Sequence, residues 1–316
     1  MGTVPEARRA FVDSVVVQSR TWGIDGIDID WDWEFSPNHN DLTSFLILLR
    51  DLRRAFESDA VSRNVPRLCL SATLHWTPQL ASSNVSAFNS YIDLANVQAY
   101  DQAFTAYGKT LSHHAPLFKG PLGLESSSNM VSILNAWAGR GILKSKMVAG
   151  LPLFGRGWLL KTAAQHNLAD PAGELIPGPE PGAWFFNEIC QKIVTDKAVV
   201  VMDQNIGASY AYSDTWWTGY NNQETLATKA RWAISNGYAG IYVWEISQDD
   251  FRGSCNMGKY PLLNAIRNAH PLFTAPQVKE SGIVLSSAST SSPFNSGAIS
   301  LSLAVFSIIT KCFSFY

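Results

Sequence analysis

The chain has 316 residues, of which 46% are hydrophobic, and this is enough to fill the core of one large domain. The formal net charge is −2 and no basic patch offsets it, which excludes an electrostatic surface for nucleic acid. We therefore expect no nucleic-acid partner and an uncharged substrate. The 11 Trp, 10 Tyr and 16 Phe residues favour a groove lined by some of these rings, although core packing is the default for any single one.

The first predicted element is an amphipathic helix that ends near Arg20 and leads into an acidic strand. From residue 27 to residue 35, apolar and acidic residues alternate strictly, which is typical of a β-strand. One face of this strand would carry four carboxylates: Asp28, Asp30, Asp32 and Glu34. Like charges repel each other and resist burial, so stability alone does not explain them. We interpret this face as a candidate functional site, against the alternative of a solvated edge strand.

Strands and helices then alternate along the chain. Apolar runs predict strands over residues 67–74, 91–101, 146–154 and 238–246, and helical stripes cover residues 41–56, 130–137 and 225–235. Near-continuous apolar strands separated by helices indicate a parallel sheet that is covered on both faces. Tyr100-Asp101 and Trp244-Glu245 stand at strand carboxyl ends, which is where a (βα) barrel holds its active site.

Two segments do not follow this alternation. Residues 157–217 are rich in Pro, Gly and aromatic residues, which predicts a small α+β insertion before the last barrel strand. A Ser/Thr-rich linker followed by an apolar run over residues 298–309 is typical of a glycosylphosphatidylinositol signal and would attach the protein to a membrane. A tail without fixed structure is the alternative. The predicted organisation is a partial barrel over 1–156, the insertion over 157–217, the last barrel units over 218–275 and the tail over 276–316.

Several ordered motifs resemble the family 18 glycoside hydrolases of the animal-chitinase type. Residues 25–32 read Asp-Gly-Ile-Asp-Ile-Asp-Trp-Asp and match the family signature Asp-Gly-x-Asp-x-Asp-x-Glu except at its last position. Tyr100-Asp101 resembles the Met-x-Tyr-Asp segment of the family, with Gln98 in place of Met. Residues 150–156 resemble the Gly-x-Pro-x-Tyr-Gly-Arg strand, and residues 242–251 resemble the last strand with its sugar-stacking Trp. The resemblance covers about residues 5–270.

This resemblance implies a (βα)8 TIM-barrel α/β fold. In the family three strands with their helices precede the acidic strand, whereas about five βα units can be counted here, so we expect an N-terminally truncated barrel. A secretory signal would lie in the missing part, which predicts an extracellular or cell-surface protein. The resemblance also implies a disulfide between Cys190 and Cys255. In a secreted chain Asn84 would be a glycosylation site.

The resemblance assigns roles to the acidic strand. In the family one Glu protonates the glycosidic oxygen, while the acetamido group of the substrate attacks the sugar carbon. Read without a gap, the acid position is Asp32, whose side chain is one methylene shorter than Glu. Aligned instead on the following Trp-Glu-Phe, the acid is Glu34, displaced by about 6.6 Å along an undistorted strand. Asp30 would orient the acetamido group, and Asp28 lies next to it on the same face.

The other candidate site residues lie at the ends of later strands or are aromatic residues that are candidates for lining a cleft. The resemblance implies that Tyr100 and Asp101 steady the acetamido group and that Trp244 forms a floor under the sugar. Arg156 would bind the carboxylates or the substrate, with a purely structural ion pair as the alternative. Further candidate sugar contacts are Trp31, Trp33, Trp184 and Trp217.

Three functions are consistent with these residues. The first is hydrolysis of chitin or chito-oligosaccharides by the substrate-assisted retaining mechanism. The second is a lectin-like protein that binds the same sugars with impaired catalysis, because the acid position reads Asp32. The third is a fragment that cannot fold. We expect a monomer that needs no cofactor. We also expect no metal, because His75 and the pair His113-His114 have no third ligand at a suitable spacing.

Overall fold

The computed structural model describes residues 4–31, 41–76, 85–102, 110–120 and 128–270. Helices α1 to α4 are Pro5–Trp22, Asp41–Arg63, Phe88–Tyr91 and Met130–Gly139, and strands β1 to β4 are Gly26–Ile29, Cys69–Leu74, Leu94–Val97 and Met147–Pro152. Strands β5 to β7 are Phe154–Leu160, Ala172–Leu175 and Ala183–Phe185, followed by helix α5 at Phe186–Thr195. Strands β8 to β10 are Val199–Asp203, Ala208–Tyr212 and Trp216–Tyr220, and the last elements are α6 at Gln223–Ser235, β11 at Gly240–Trp244 and α7 at Pro261–Ala269.

Five strands form a parallel sheet in the order β1-β2-β3-β4-β11. Every neighbouring pair runs parallel, and helices connect successive strands of the sheet. This arrangement confirms the predicted α/β class and the parallel sheet. The carboxyl ends of the five strands meet at one edge, because all five run in the same direction.

One face of the parallel sheet holds the main hydrophobic core. Leu70, Ala72 and Leu74 alternate along β2 and pack in one cluster with Phe45 and Phe56 of α2. Because side chains alternate across a strand, the residues between them point to the opposite face. That opposite face therefore collects the polar side chains of the sheet.

The acidic strand is shorter than its alternation predicts. β1 ends at Ile29, because its pairing with β2 ends where Ile29 lies opposite Ala72. Asp30 and Trp31 follow without strand structure, and residues 32–40 lie outside the described part of the chain. The predictions for Asp32, Trp33 and Glu34 therefore fall on residues that the structure does not describe.

An antiparallel sheet forms a second unit between β4 and α6. Its strands are ordered β6-β5-β10-β9-β8, and β7 pairs with the other part of β5. This sheet begins at Phe154 and ends at Tyr220, so it includes residues on both sides of the predicted insertion over 157–217. A disulfide between Cys190 of α5 and Cys255 joins this unit to the segment before α7.

Within the described ranges, no helix combines the length and the apolar character that a membrane crossing requires. The segment predicted as a membrane-attachment tail, residues 276–316, lies outside those ranges, as does Asn84.

Candidate active site

Asp28 lies on the polar face of the parallel sheet and is surrounded by donors from the two next strands. The hydroxyl of Ser71 donates to its Oδ1 at 2.6 Å, and the Asn96 amide donates to the same oxygen at 2.8 Å. The hydroxyl of Thr73 donates to Oδ2 at 3.1 Å. These bonds compensate the carboxylate for lost water and fix its orientation on β1.

A cleft opens at the carboxyl ends of β3, β4 and β11. Its volume is about 240 Å³. Asp30 and Trp244 both line the cleft, and Trp244 is 48% exposed. The other lining residues are His75, Gln98, Tyr100, Asp101, Phe154, Arg156, Glu180, Ala183, Phe185 and Gln248. The structure thus brings together five of the predicted site residues: Asp30, Tyr100, Asp101, Arg156 and Trp244.

Tyr100 presents a neutral phenol at this cleft. Its hydroxyl is 3.4 Å from that of Tyr242, which projects from β11. Burial raises the pKa of Tyr100 and outweighs the hydrogen bond with Tyr242, which lowers it, and the negative charges of Asp101 and Asp30 raise the pKa further. The phenol therefore keeps its proton at neutral pH and acts as a hydrogen-bond donor.

Asp101 is held as a carboxylate by a bidentate ion pair. Arg156 donates from Nε to Oδ1 at 2.8 Å and from Nη2 to Oδ2 at 2.7 Å. Nδ1 of His114 lies 3.3 Å from Oδ1, and Glu180 approaches the third guanidinium nitrogen at 3.1 Å. Burial alone would raise the pKa of Asp101, but the contacts with Arg156 and His114 outweigh it and hold the pKa well below its usual range.

The backbone of Asp101 is also unusual. Its φ of 63° lies in the left-handed region, which few residues other than Gly adopt. Such a conformation costs of the order of 1 kcal/mol and persists where surrounding contacts over-determine it. The ion pair with Arg156 supplies part of that restraint.

A glycine in β4 makes room for the ring of Tyr242. A Cβ placed on Gly150 would come within 2.6 Å of the Tyr242 ring carbons and hydroxyl. Gly150 lies opposite Tyr242 in the parallel register of β4 and β11. The first glycine of the motif over residues 150–156 therefore serves a steric purpose, because any larger residue would displace the Tyr242 ring.

Three predicted sugar contacts are not among the described residues that line the cleft. Trp217 is fully buried in the antiparallel sheet, with its ring centroid 5.8 Å from that of Trp158. Trp184 is also buried and donates its indole N–H to the Pro177 carbonyl at 2.6 Å. Trp31 packs edge-on against Phe45. Trp184 and Trp217 are buried in cores, whereas Trp31 is only partly buried against one, and their contacts with sugar stay predictions.

Several residues that line the cleft or contact its lining residues were absent from the sequence-based prediction. Gln98 and Tyr242 each stand two positions before a predicted site residue, so strand alternation places them on the same face and could have identified them. The side chain of Gln98 makes no hydrogen bond with the described residues. His114 and Glu180 come from loops distant in sequence, and no local pattern marks them.

The described residues include one cluster with metal-ligand side chains, formed by Cys190, Asp250 and Cys255. Both sulfur atoms belong to the disulfide. Asp250 accepts hydrogen bonds from the backbone N–H groups of Ser254 and Cys255, so its carboxylate is engaged in holding that loop.

Comparison with known proteins identifies relatives over most of the chain. The sequence model described as glycosyl hydrolases family 18 matches residues 1–249. Chitotriosidase-1 of Mus musculus is 32% identical over 272 residues, which cover 82% of this chain and 57% of the mouse protein. A class V chitinase of Arabidopsis thaliana is 30% identical over 259 residues, which cover 80% of this chain and 66% of the plant protein. The chain therefore spans roughly three fifths of the length of these relatives.

Solved structures show the same similarity. The structure of human YKL-39, described as a pseudo-chitinase with retained chito-oligosaccharide binding, superposes with a TM-score of 0.78 at 28% sequence identity. The match covers 85% of this chain and 75% of that one. This likeness, together with the parallel sheet, confirms the predicted TIM-barrel type of α/β fold.

Proposed function

The chain belongs to family 18 of the glycosyl hydrolases, and from this premise we propose that it binds and hydrolyses β-1,4-linked N-acetylglucosamine chains. The observation that supports this most directly is the cleft in which Asp30, Tyr100, Asp101 and Trp244 converge. An exposed indole suits the C–H face of a sugar, and the neighbouring carboxylates and phenol suit its hydroxyl and acetamido groups.

The proposed mechanism is retaining and assisted by the substrate. The neutral phenol of Tyr100 donates a hydrogen bond to the acetamido oxygen, which attacks the anomeric carbon as the glycosidic bond breaks. Asp30 accepts the acetamido N–H and stabilises the cationic ring that forms. Asp101 stays ionised beside them because Arg156 balances its charge. Asp32 or Glu34 gives its proton to the leaving oxygen.

A second candidate function is lectin-like binding with impaired turnover. The residue that favours it is Asp32, which stands at the signature position where the family acid is Glu. Proton transfer requires heavy atoms about 2.6–3.2 Å apart, and a side chain shorter by one methylene withdraws the acid from that range. The similarity to human YKL-39, described as a pseudo-chitinase, is consistent with this alternative.

One set of variants separates the two functions. We expect the wild-type chain to release the fluorophore from a fluorogenic chito-oligosaccharide, and Asp30→Asn to lower the rate by at least about 100-fold. Glu57→Gln, on the exposed surface of α2, is the matched control and should leave the rate unchanged. Calorimetric binding of chitotetraose without turnover would select the lectin, and Asp32→Glu should then restore cleavage. A folded chain that neither binds nor cleaves contradicts both functions.

We also propose an extracellular or cell-surface location. The disulfide between Cys190 and Cys255 supports it, because such bonds persist in oxidising compartments. Expression in cultured cells, followed by treatment with a phosphatidylinositol-specific phospholipase, tests anchoring through the tail. Release of the protein into the medium only after treatment is the expected result, whereas retention in the cytosol contradicts the proposal.

A further inference from the structure

His114 lies beneath Asp101 and is almost completely buried. Its side chain is 2% exposed, and Nδ1 lies 3.3 Å from Oδ1 of Asp101, the oxygen that also accepts Nε of Arg156. The imidazole packs against Phe154, with the ring centroids 5.1 Å apart. His114 therefore contacts Asp101 from within the protein, on the opposite side from the cleft opening.

The backbone around His114 is joined to the strained segment as well. The N–H of Gln102, the residue after Asp101, donates to the His114 carbonyl at 3.1 Å. The next carbonyl, that of Ala115, accepts a hydrogen bond from the buried Nζ of Lys229 on α6. The loop that carries His114 is thus tied to Asp101 on one side and to a helix of the barrel on the other.

We propose that His114 is a positioning residue for Asp101, acting as a neutral imidazole whose Nδ1–H donates to the carboxylate. This inference deepens the proposed function, since it rests on Asp101 contacting the substrate. Arg156 binds both oxygens of the carboxylate, and His114 adds a second contact to Oδ1. Together they keep Asp101 in the left-handed conformation that points it into the cleft.

The surroundings of His114 favour the neutral form. Burial lowers the pKa of His114, and the positive charges of Arg156 and Lys229 lower it further, against the opposing influence of Asp101. His113, the remaining titratable neighbour, is buried beside it. Nε2 of His114 is buried without a hydrogen-bond partner in the described part of the chain, so a second proton there would have no acceptor. The one ring proton consequently belongs on Nδ1, facing Asp101.

A neutral donor matters for the chemistry of Asp101. With His114 uncharged, Arg156 alone neutralises the carboxylate, which stays a strong acceptor for a substrate hydrogen bond. A protonated His114 would place a second cation against the same oxygen and weaken that acceptor. We therefore expect substrate affinity to decrease in acid as His114 takes up a proton.

The tautomer of the His114 ring can be measured without an assay of catalytic activity. Nitrogen-15 NMR of the histidine rings in the labelled 316-residue chain should show His114 as a neutral ring protonated on Nδ1 at neutral pH. Asp101→Asn should change the Nδ1 signal of His114. A ring protonated on Nε2, or an imidazolium at neutral pH, would overturn the proposal.

Two substitutions at His114 separate positioning from packing. His114→Leu removes the donor but fills the space, whereas the amide of Asn in His114→Asn can replace Nδ1–H. We expect Leu to weaken chitotetraose binding by about 10-fold or more, and Asn to restore it to within about 3-fold of wild type. Equal losses in both variants, at equal unfolding free energy, would overturn the proposal. If the wild-type chain does not bind chitotetraose, the proposed function fails, while the NMR result still decides the His114 contact.

Discussion

His113 should make the fold sensitive to acid. Its side chain is 3% exposed and packs against Tyr210 and Trp217, with ring centroids 5.9 and 6.2 Å away. Burial, followed by the charges of Lys229 and His114, lowers the pKa of His113 from 6.5 to about 3. His113 is therefore protonated much less readily in the folded state than in the unfolded chain. Stability is complete above the unfolded pKa and is lost as the pH falls below it towards the folded pKa.

The size of this effect follows from linkage. Between the unfolded and folded pKa values, the free energy of unfolding falls by about 1.36 kcal/mol for each pH unit of acidification. About pH 5 is about 1.5 units below the unfolded pKa, so His113 should lower the free energy of unfolding by about 2 kcal/mol there. His113→Phe keeps a ring in the pocket and removes the titration. We expect the fall in unfolding free energy between about pH 7.5 and about pH 5 to be smaller in His113→Phe by that amount.

Urea denaturation followed by tryptophan fluorescence at the two pH values measures this difference. Trp158→Phe is the matched control. Trp158 is a buried ring in the same cluster as Tyr210 and Trp217, and its substitution removes no ionisable group. It should lower the unfolding free energy equally at both pH values. If wild type and His113→Phe lose the same stability on acidification, the pKa of His113 is not depressed in the folded state and the reasoning is refuted.

Three further substitutions test the cleft. Arg156→Lys should weaken chitotetraose binding by about 10-fold to 100-fold in calorimetry, because Lys cannot form the bidentate pair with Asp101; an affinity near that of wild type would argue for a purely structural ion pair. Trp244→Ala should reduce affinity by about 1 kcal/mol or more while changing the unfolding free energy by less than about 0.5 kcal/mol, since the ring is exposed; a large loss of stability would contradict its role in the cleft. Gly150→Ala should lower the unfolding free energy by about 1–3 kcal/mol through the clash with Tyr242, and adding Tyr242→Leu should recover part of that loss.

Local patterns predicted the parallel sheet and the strand ends that carry the cleft. The order of apolar and polar residues in a strand reflects which of its faces is buried, so this pattern can be read from the sequence. Asp30, Tyr100 and Trp244 were predicted because each follows or ends such a run. Gln98 obeys the same periodicity, so its position on the cleft face was accessible in principle from its spacing to Tyr100.

The residues that hold Asp101 and Arg156 in place were not predictable from such patterns. His114 and Glu180 reach Asp101 and Arg156 across sequence separations of 13 and 24 residues, through loops whose paths no periodicity describes. The aromatic residues that line the cleft were hard to identify for a related reason. An indole suits a sugar face and a protein core equally well, so composition could not distinguish the exposed Trp244 from the buried Trp184.

The proposed mechanism assigns sugar recognition and proton donation to different residues. Asp28 is oriented by three donors from β2 and β3, and Asp101 is oriented by Arg156, all within the described chain. The residues that make these contacts include neither Asp32 nor Glu34. In the proposed mechanism, recognition of the acetamido sugar persists when the acid is changed, because the acid serves proton transfer and the contacts with the sugar come from other residues. A substitution at Asp32 or Glu34 should alter turnover far more than affinity, and substitutions around Asp101 should alter both.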